Sequence, residues 1–469
     1  MKEFCENFKN NGFVKVLNSF YSSKIFPFIS AAVALACYIL GWDLVTIYYL
    51  VISAVLILVF SDNTTPGITV LLFVPVLMSK QNSLSVVIGN SDYYTRTENL
   101  AQILTLLSLL LIASVYKIAV TCINKKFKLT PAFWILAVFS AALLFNGAFS
   151  KDYDPKNLIY GLVMVASFLF IFSLIKDNLK LDKKGFEQIA LGFVALSILL
   201  VVELIFEYCR TEGIFENGII NRYKLIFGWG VYSDYGLLLG ICIPPVLYLA
   251  GIKKYGTVYL LYSFVLFACA FLCCSRQTMV TVVLIYPICL LILFVKGNNQ
   301  ILNLCVTAAA AIAAIIVLGI YQQYVIDFFK TIFDNLIVDG NLDGSGRMNL
   351  YRQALEYFKT APFWGVGFYV SFDYSIPTTI SLFPAMCHNT VLQVLSCSGI
   401  VGISAYAIHR IQTVVSFFKN VNLERTFIAL SIASFVIAAL FANHMFRIFS
   451  TMIYSALLAV LDKSEKKTV

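Results

Sequence analysis

The stretch QTMVTVVLIYPICLLILFV, from Gln277 to Val295, runs for 19 residues without a charged side chain and lies between Arg276 and Lys296. A helix needs about 20 mainly apolar residues to cross the hydrocarbon core of a bilayer. The stretch therefore predicts a membrane-spanning helix. The whole chain has the same character, since 60% of its residues are hydrophobic, 13% are charged and the mean hydropathy is +0.85. Soluble domains do not tolerate such a composition, so we expect an integral membrane protein.

Fourteen apolar runs of this kind are candidate spans. They begin near Ile25, Leu44, Pro66, Leu100, Pro131, Asn157, Phe186, Trp229, Tyr255, Gln277, Ile301, His388, Arg425 and Ile448. The predicted fold class is all-α, a polytopic bundle of about 12–14 transmembrane helices with one large extracytoplasmic loop that contains short helices. The predicted division is a cytoplasmic lead-in (1–24), a transmembrane bundle (25–320), the extracytoplasmic loop (321–387), C-terminal transmembrane helices (388–461) and a cytoplasmic tail (462–469).

The distribution of Lys and Arg predicts the orientation of the chain, because loops that stay in the cytoplasm retain these residues. If the N-terminus lies inside and the spans alternate, the inner segments hold 21 of the 34 basic residues. Both termini are then expected in the cytoplasm. The formal net charge of +9 is interpreted as membrane topology and not as nucleic-acid binding, because the basic residues are scattered over loops without an interleaved aromatic face.

Several classes of site are not indicated by the sequence. The first 24 residues are polar and mixed, so no cleavable signal peptide is expected. The twelve cysteines never form a Cys-x-x-Cys pair, which argues against a zinc site and a disulfide framework. No metal and no cofactor are predicted. The segment Asp339–Gly344 resembles the first half of an EF-hand calcium loop, but Leu350 stands where that loop needs Glu, so calcium binding is the weaker interpretation.

Three arginines stand out in the segments predicted to face outward. Arg276 follows a tight turn between two spans, where the alternative role is contact with lipid phosphates. Arg347 follows Gly344-Ser-Gly346 and precedes a helical pattern that ends before Pro362, with Ser345 as the expected N-cap. A cation in the first turn opposes the helix dipole by roughly 0.3–1 kcal/mol, unless an anion such as phosphate is bound there. Arg222 alone is an ordinary loop charge.

The chain has three histidines, and one of them is a candidate catalytic group. His388 opens a span directly after the long loop and is followed by Asn389 and Gln393. It shares its predicted face of the membrane with the arginines, and imidazole exchanges protons near neutral pH. His409 is expected at the cytoplasmic end of a span, and His444 in a short outer turn. Both are interpreted as structural residues.

These motifs, taken in order, resemble the O-antigen ligase and polymerase superfamily. The residues that carry the resemblance are Asn221-Arg222, Gly228-Trp-Gly-Val-Tyr-Ser-Asp-Tyr-Gly236, Ile243-Pro-Pro245, Ser275-Arg276, Ser345-Gly-Arg347, Pro362-Phe-Trp-Gly-Val-Gly367, His388-Asn-Thr-Val-Leu-Gln393 and Gly399-Ile-Val-Gly402. The similar region runs from about residue 221 to residue 411. The residues before it add only apolar spans that are compatible with the family.

The resemblance implies an inverting membrane glycosyltransferase of the GT-C type that works without a nucleotide sugar or a metal at the outer face of the bacterial cytoplasmic membrane. It implies a glycan on undecaprenyl diphosphate as donor and a glycan or lipid-glycan as acceptor, in cell-surface polysaccharide biosynthesis. By the same resemblance, Arg276 and Arg347 hold the diphosphate and His388 lies beside the acceptor. Arg222 corresponds more loosely to a further basic position, because Ser233 and Asp234 replace an Asn-rich stretch.

The identity of the group that accepts the proton of the acceptor hydroxyl is left open by the residues. His388 is one candidate, and Glu207, Glu212, Glu216 and Asp234 are alternatives on the outer side. Asp234, Asn389 and Gln393 are candidate acceptor-side or supporting residues. An amphipathic stretch, 324–336, is expected to lie along the membrane surface or to pack within the loop.

Two other classes of function compete with the transferase. A polysaccharide or lipid-linked oligosaccharide transporter (flippase) also has many spans, and Pro244-Pro245 is a possible hinge. Transporters usually keep ionisable groups near the middle of the membrane, whereas Glu203, Asp234 and Arg276 are all predicted toward the outer ends of their spans. A non-catalytic scaffold leaves the arginines of the loops without a role. The sequence therefore favours chemistry at the outer surface.

Overall fold

The computed structural model of the chain describes residues 11–82, 93–94, 96–151, 153–216, 219–333, 337–338, 341–342, 347–370 and 386–464. The predicted Ser345 cap and Asp339, Gly340, Asp343 and Gly344 of the calcium-like loop lie outside these residues. Helices account for nearly all the regular structure, which confirms the predicted all-α membrane fold.

The first half of the chain contains ten α-helical segments. They are α1 (Gly12–Tyr21), α2 (Phe26–Leu40), α3 (Asp43–Phe60), α4 (Thr65–Phe73), α5 (Thr97–Ile123), α6 (Pro131–Leu144), α7 (Lys156–Val165), α8 (Ile171–Lys176), α9 (Lys183–Arg210) and α10 (Tyr232–Ile252). A π-helical turn, Ala166–Phe170, joins α7 to α8 into one continuous element. The angle between α1 and α2 is 75°.

The second half contains α11 (Gly256–Leu272), α12 (Arg276–Lys296), α13 (Gln300–Ile320), α14 (Gln322–Phe333), α15 (Arg347–Thr360), α16 (Thr390–Phe418), α17 (Leu423–Phe441) and α18 (Ile448–Lys463). Three antiparallel two-stranded ribbons interrupt the helices: β1 (Phe215–Glu216) with β2 (Ile219–Ile220), β3 (Ile226–Phe227) with β4 (Gly230–Val231), and β5 (Ile337–Val338) with β6 (Asn341–Leu342). Short 3-10 turns cover Val74–Val76, Lys80–Asn82, Arg222–Lys224 and His444–Phe446.

Each of the fourteen predicted spans coincides with an apolar helix. The largest difference in starting point is three residues, at Leu100 against Thr97, Phe186 against Lys183 and Trp229 against Tyr232. Among the described residues, nine helices are long and apolar enough to cross a membrane, or ten if the bent pair of α1 and α2 is one span. The segments Thr65–Val76, Pro131–Leu144 and Gly256–Leu272 are apolar but shorter.

The loops collect at two ends of the bundle. At one end, the Lys117 ammonium donates to the Ser61 carbonyl at 2.5 Å, and the Lys463 ammonium donates to the Asp177 carbonyl at 3.1 Å. This is called the basic end, because the segments predicted to be rich in Lys and Arg meet there. At the opposite end, called the loop end, the Asp43 carboxylate accepts from the Ser79 hydroxyl at 2.9 Å. Successive loops alternate between the basic end and the loop end, in the order predicted for inner and outer loops.

Helix α10 is the centre of the bundle. It contacts α9, α11, α12 and α17, and 94% of the residues in its most apolar 18-residue stretch are buried. Pro244 and Pro245 lie inside this helix and are buried. The glycines of α10 allow close packing, since a Cβ on Gly236 would stand 1.7 Å from the Thr278 hydroxyl of α12. The start of α10 is therefore held directly against the start of α12.

Helix α16 is broken near the loop end, at Gly399, whose φ of 61° lies in the left-handed region. The break frees backbone groups, and the segment 361–370 binds them. The N–H groups of Val366 and Gly367 donate to the carbonyls of Ser396 and Cys397 at 2.9 and 3.0 Å. The predicted motif Pro362–Gly367 is thus a latch that fixes the loop against the broken helix.

Candidate functional site

The three predicted arginines each begin a helical element at the loop end. Arg276 is the first residue of α12, Arg347 is the first residue of α15, and Arg222 opens the 3-10 turn Arg222–Lys224. Backbone N–H groups at the start of a helix carry partial positive charge, so a cation there is unfavourable and an anion is favourable. Arg276 and Arg347 stand at such positions, and Arg222 adds a third cation at the loop end.

The structure brings these three arginines together. The charges of Arg222 and Arg347 both act on the Arg276 guanidinium, which is partly buried. All three charges also act on the hydroxyl of Tyr232, the first residue of α10. The ring of Tyr232 lies 5.7 Å from the Arg222 guanidinium carbon, and the ring of Tyr223 lies 5.0 Å from it. Tyr232 is therefore the common neighbour of the cluster.

Arg347 is held in place by the last residue of α17. Its Nη1 donates to the Phe441 carbonyl at 3.0 Å. The Tyr351 hydroxyl lies one turn along α15, within hydrogen-bonding reach of Arg347 and of Asn389. Burial raises the pKa of Tyr351, so this phenol stays neutral at pH 7. Tyr351 thus connects the arginine cluster to the start of α16.

His388 has a backbone conformation that few side chains adopt. Its φ is 58°, in the left-handed region, where strained residues cluster at functional sites. Asn389 caps α16 by accepting from the Leu392 N–H at 3.0 Å. Gln393 is buried, and its Oε1 accepts from the Cys387 N–H and from the Asn443 side chain, each at 2.8 Å. Asn389 and Gln393 therefore fix the turn that presents His388.

The imidazole of His388 is recessed but open, since more than a third of the residue is accessible. Desolvation by the surrounding protein, together with the positive charges of Arg347 and Arg447, lowers the pKa of His388 to about 4. The negative charge of Asp234 partly opposes this shift. His388 is therefore neutral at pH 7 and has a ring nitrogen able to accept a proton. Its pKa depends on the occupancy of the arginine site, because a bound anion would cancel the effect of Arg347.

A second polar group adjoins His388. The Asp234 carboxylate forms an ion pair with Arg447 and accepts from the Val231 N–H at 3.2 Å, which caps α10. His444 is fully buried, and its Nδ1 lies 3.6 Å from the same carboxylate. In the tautomer that these neighbours favour, its Nε2 accepts from the Gln277 amide at 2.7 Å. Asp234, in the first turn of α10, thereby contacts the residues that precede α18, and His444 in turn contacts the start of α12.

Burial and the neighbouring Arg447 and His388 lower the pKa of His444 to about 3, while Asp234 acts in the opposite direction. His444 is thus a neutral group beside Asp234. No local pattern predicts this contact, since the turn from Asn443 to Arg447 is interpreted as structural. Arg447 and Tyr232 were also missed, although Tyr232 lies within the quoted motif Gly228–Gly236.

Two acidic side chains of α9 are engaged by other groups. Glu207 is fully buried, where it binds the Lys80 ammonium at 2.7 Å and the Tyr38 hydroxyl at 2.8 Å. This pairing removes Glu207 as an acceptor of a substrate proton. Glu203 is fully buried as well, and accepts from the Trp229 indole at 3.1 Å. Within the described part of the chain, no group of three or more His, Cys, Asp and Glu residues is arranged to hold a metal ion.

His409 lies in the middle of the bundle, so its predicted position at the cytoplasmic end of a span is wrong. It is buried, is 2.9 Å from the Tyr454 hydroxyl, and stacks on Phe139 at 5.6 Å between ring centroids. The reason is the length of α16, which runs for 29 residues from Thr390 to Phe418 and continues beyond the expected span. Arg410 shares this depth and donates to the Tyr454 hydroxyl at 2.5 Å.

The sequence comparisons agree with the geometry. Residues 261–407 match the family model described as O-antigen ligase. The matched segment contains Arg276, Arg347 and His388, while Arg222 and Asp234 lie before it and Arg447 lies after it. The comparison with curated proteins gave no match. The predicted resemblance to the O-antigen ligase superfamily is thus confirmed.

Proposed function

Because residues 261–407 match the family model described as O-antigen ligase, we propose that the chain transfers or polymerises glycans carried on undecaprenyl diphosphate. It is a multi-pass membrane glycosyltransferase in this proposal, and it uses neither a nucleotide sugar nor a metal. The proposed location is the cytoplasmic membrane of a bacterium. The basic end then faces the cytoplasm, as the distribution of Lys and Arg favours, and the loop end faces outward.

One observation carries the proposal. Three arginines that begin helical elements converge around Tyr232, beside an accessible and neutral histidine. Arginine guanidinium groups pair well with phosphate oxygens, and the positive helix N-termini add to the attraction. A diphosphate leaving group next to a proton acceptor is the arrangement that glycosyl transfer requires.

The proposed reaction is a direct displacement with inversion at the anomeric carbon. The acceptor oxygen forms the new bond to that carbon, and the bond between the carbon and the diphosphate oxygen breaks with its electron pair going to the diphosphate. Arg276, Arg347 and Arg222 stabilise this developing charge, an effect for which one well-placed donor can be worth about 2.7–4 kcal/mol. The proton of the acceptor hydroxyl passes to the neutral imidazole of His388.

Donor binding also prepares His388 for this step. In the empty site the charge of Arg347 lowers the basicity of the imidazole. A bound diphosphate neutralises that charge, so the pKa of His388 rises toward its ordinary value when the substrate is present. The negative charge of Asp234, which is held by Arg447 and lies next to His444, favours the protonated form of His388. Asn389 and Gln393 hold the turn that carries His388.

The experiment that tests the proposal uses the purified protein in lipid nanodiscs with an undecaprenyl-diphosphate-linked oligosaccharide. We expect longer glycans, or transfer to an added lipid-glycan acceptor, together with release of undecaprenyl diphosphate and without any nucleotide sugar. Elongation without an added acceptor identifies a polymerase, and a strict need for one identifies a ligase. If neither product forms, and the lipid-linked donor is merely moved between leaflets, the transferase proposal is wrong.

One observation favours a transporter as the second candidate. Arg410 lies near the middle of the bundle, over the rings of Tyr406 and Tyr454 at 4.5 and 5.0 Å. Ionisable groups at that depth are often functional in transporters. In cells, a transporter variant such as Arg410→Gln would accumulate lipid-linked glycan in the inner leaflet. A transferase variant such as His388→Ala would instead accumulate unpolymerised glycan that an external enzyme can reach.

A further inference from the structure

A cavity of about 660 Å³ lies at the loop end, at the far end of α15 from Arg347. Its walls come from the turn after α6, from the last turn of α15 and from the latch segment that follows it. Four of the twelve lining residues are aromatic, namely Phe149, Tyr357, Phe363 and Trp364. The volume falls in the range of small-molecule binding sites, about 300–1,000 Å³.

The backbone around this cavity is fixed. The Gly147 N–H donates to the Trp364 carbonyl at 3.0 Å, and the Gly365 N–H donates to the Ala361 carbonyl at 2.9 Å. Gly147 has a φ of 64°, and a Cβ added there would stand 2.6 Å from the Gly367 nitrogen. The two walls are therefore in close backbone contact. The rings of Phe149 and Trp364 contact each other at 5.3 Å between centroids, so the cavity is formed before any ligand enters.

We propose that this cavity binds a stretch of the glycan chain at a distance from the reacting sugar. A sugar ring has apolar faces of C–H groups, which pack on aromatic rings, and a rim of hydroxyl groups, which need polar partners. The cavity offers both, since Ser150, Lys151 and Thr360 lie in the same lining as the aromatic residues. Lys151 additionally suits acidic sugars. The inference rests on the proposed function, because it supplies that reaction with a longer substrate.

Helix α15 relates the cavity to the arginine cluster. Arg347 begins the helix, and Tyr357 lies ten residues later. At 1.5 Å per residue this separation is about 15 Å along the helix axis. A chain of several sugars can extend from the cluster to the cavity, whereas a single sugar cannot. The cavity therefore distinguishes long glycans from short ones without contacting the sugar that reacts.

Membrane lipid is the other ligand that exposed aromatic residues can meet at this end of a bundle. The polar residues of the lining, Ser150, Lys151 and Thr360, favour a glycan. Phe149 is 76% exposed, so its replacement removes a wall of the cavity without removing a part of the core. Tyr324 on α14 is 70% exposed and does not line the cavity, which makes it a matched control for an aromatic residue at a lipid surface.

The test measures binding of oligosaccharides released by mild acid from the lipid-linked pool of the producing strain and separated by number of repeat units. The full-length protein in nanodiscs is titrated with each size, and contact with aromatic protons is followed by saturation-transfer NMR. We expect affinity to increase with length, and Phe149→Ala and Lys151→Gln to weaken binding of the longer glycans about tenfold. Tyr324→Ala is expected to bind as the wild type does.

The outcomes separate this inference from the proposed function. If Phe149→Ala and Lys151→Gln bind long glycans as well as the wild type, the cavity is not a glycan site, whatever the transfer activity. If Phe149→Ala instead changes only the retention of lipid, the aromatic residues form a membrane contact and the inference is overturned. If these variants weaken glycan binding but no transfer occurs with the wild type, the inference stands and the transferase proposal fails.

Discussion

The two ends of the bundle use the same basic residue types in opposite electrostatic settings. At the basic end, cationic side chains bind the carbonyls that helices leave free at their C-termini. Arg425 is fully buried and donates to the Leu461 carbonyl of α18 at 2.8 Å and to the Ser416 carbonyl of α16. Arg425 itself lies in the first turn of α17, but these carbonyls pair with its charge. At the loop end, Arg276 and Arg347 also stand at helix N-termini, and there the charges of Arg222, Arg276 and Arg347 act on one another, although Arg347 donates to the Phe441 carbonyl. The first arrangement is stable by itself, and the second gains stability from an anion.

The difference teaches how to separate a structural arginine from a functional one. A cation at a helix C-terminus satisfies acceptors that otherwise remain buried and unpaired. A cation at a helix N-terminus, next to two other cations, is unfavourable in the unliganded protein. A chain that keeps three such residues within reach of Tyr232 therefore has a use for negative charge at that place. The comparison therefore predicts a loss of activity when Arg276 is replaced and a loss of stability when Arg425 is replaced.

The largest effect is expected from Arg276→Gln. The variant retains a polar side chain at the start of α12 but loses the charge that stabilises the leaving diphosphate. Transfer in the nanodisc assay is expected to fall about 10²–10³-fold, as for the loss of one preorganised donor. Thermal unfolding of the unliganded variant is expected at or above the wild-type temperature, because the lost charge is unfavourable in the empty site, and this measurement serves as the control for folding.

A near-normal rate in Arg276→Gln would show that the cluster does not stabilise the transition state. Arg276→Lys is the conservative companion, because it keeps the charge but not the bidentate geometry. We expect it to recover only part of the lost rate. Full recovery would indicate that charge alone, and not the guanidinium shape, is required.

Arg425→Gln is expected to give the next largest effect, on stability and not on chemistry. The shorter side chain leaves buried carbonyls of α16 and α18 without their donor, which costs about 1–3 kcal/mol for an unsatisfied buried group. A lower unfolding temperature in nanodiscs measures this loss. The rate per folded molecule is expected to stay at the wild-type value. If it falls as in Arg276→Gln, the proposed separation of roles between the two ends is wrong.

The sequence predicted those parts of this comparison that depend on local patterns. The apolar runs located the starts of fourteen helices to within three residues, because a run of about 20 apolar residues ends where charged residues can reach water. The motifs around Arg276, Arg347 and His388 were found because each stands beside its own helix start. The functional roles assigned to these residues remain predictions.

The parts that the sequence did not predict are contacts between distant spans. Asp234 pairs with Arg447 across 213 residues, and Gln277 reaches His444 across 167 residues. Nothing in a local apolar pattern tells which helices become neighbours, so His444 was taken for an ordinary turn residue. His409 was misplaced for a related reason, because the break at Gly399 belongs to a helix longer than a single expected span.

The pH dependence of Arg347→Gln sharpens the link between the arginine cluster and His388. His388 has a pKa of about 4 in the unliganded protein, below its ordinary value of 6.5, so its neutral form is present above pH 4 and is lost as the pH falls through that value. Removal of the Arg347 charge raises the pKa of His388. The acid limb of kcat/KM is therefore expected to move upward, by up to about one pH unit, which is a tenfold change in rate on that limb.

The groups that face His388 define the controls for this shift. Arg447 also lowers its pKa, while Asp234 raises it. Asp234→Asn is therefore expected to move the acid limb downward, opposite to Arg347→Gln. Equal acid limbs in the wild type and in both variants would mean that the histidine is not the group whose protonation limits the reaction.

The smallest effect is expected from inorganic pyrophosphate, which imitates the diphosphate without lipid or sugar. An anion bound among Arg222, Arg276 and Arg347 neutralises charges that repel one another in the empty site. At ten times its Kd it stabilises the folded protein by about 1.4 kcal/mol, through binding to the native state alone.

The measurement is the rise in unfolding temperature in nanodiscs at fixed ionic strength, with sulfate as the ionic control. Arg425→Gln is expected to keep this rise, because its site lies at the opposite end, and Arg276→Gln is expected to lose most of it. A rise that is the same in all three proteins would come from general salt effects and would remove the anion site from the loop end.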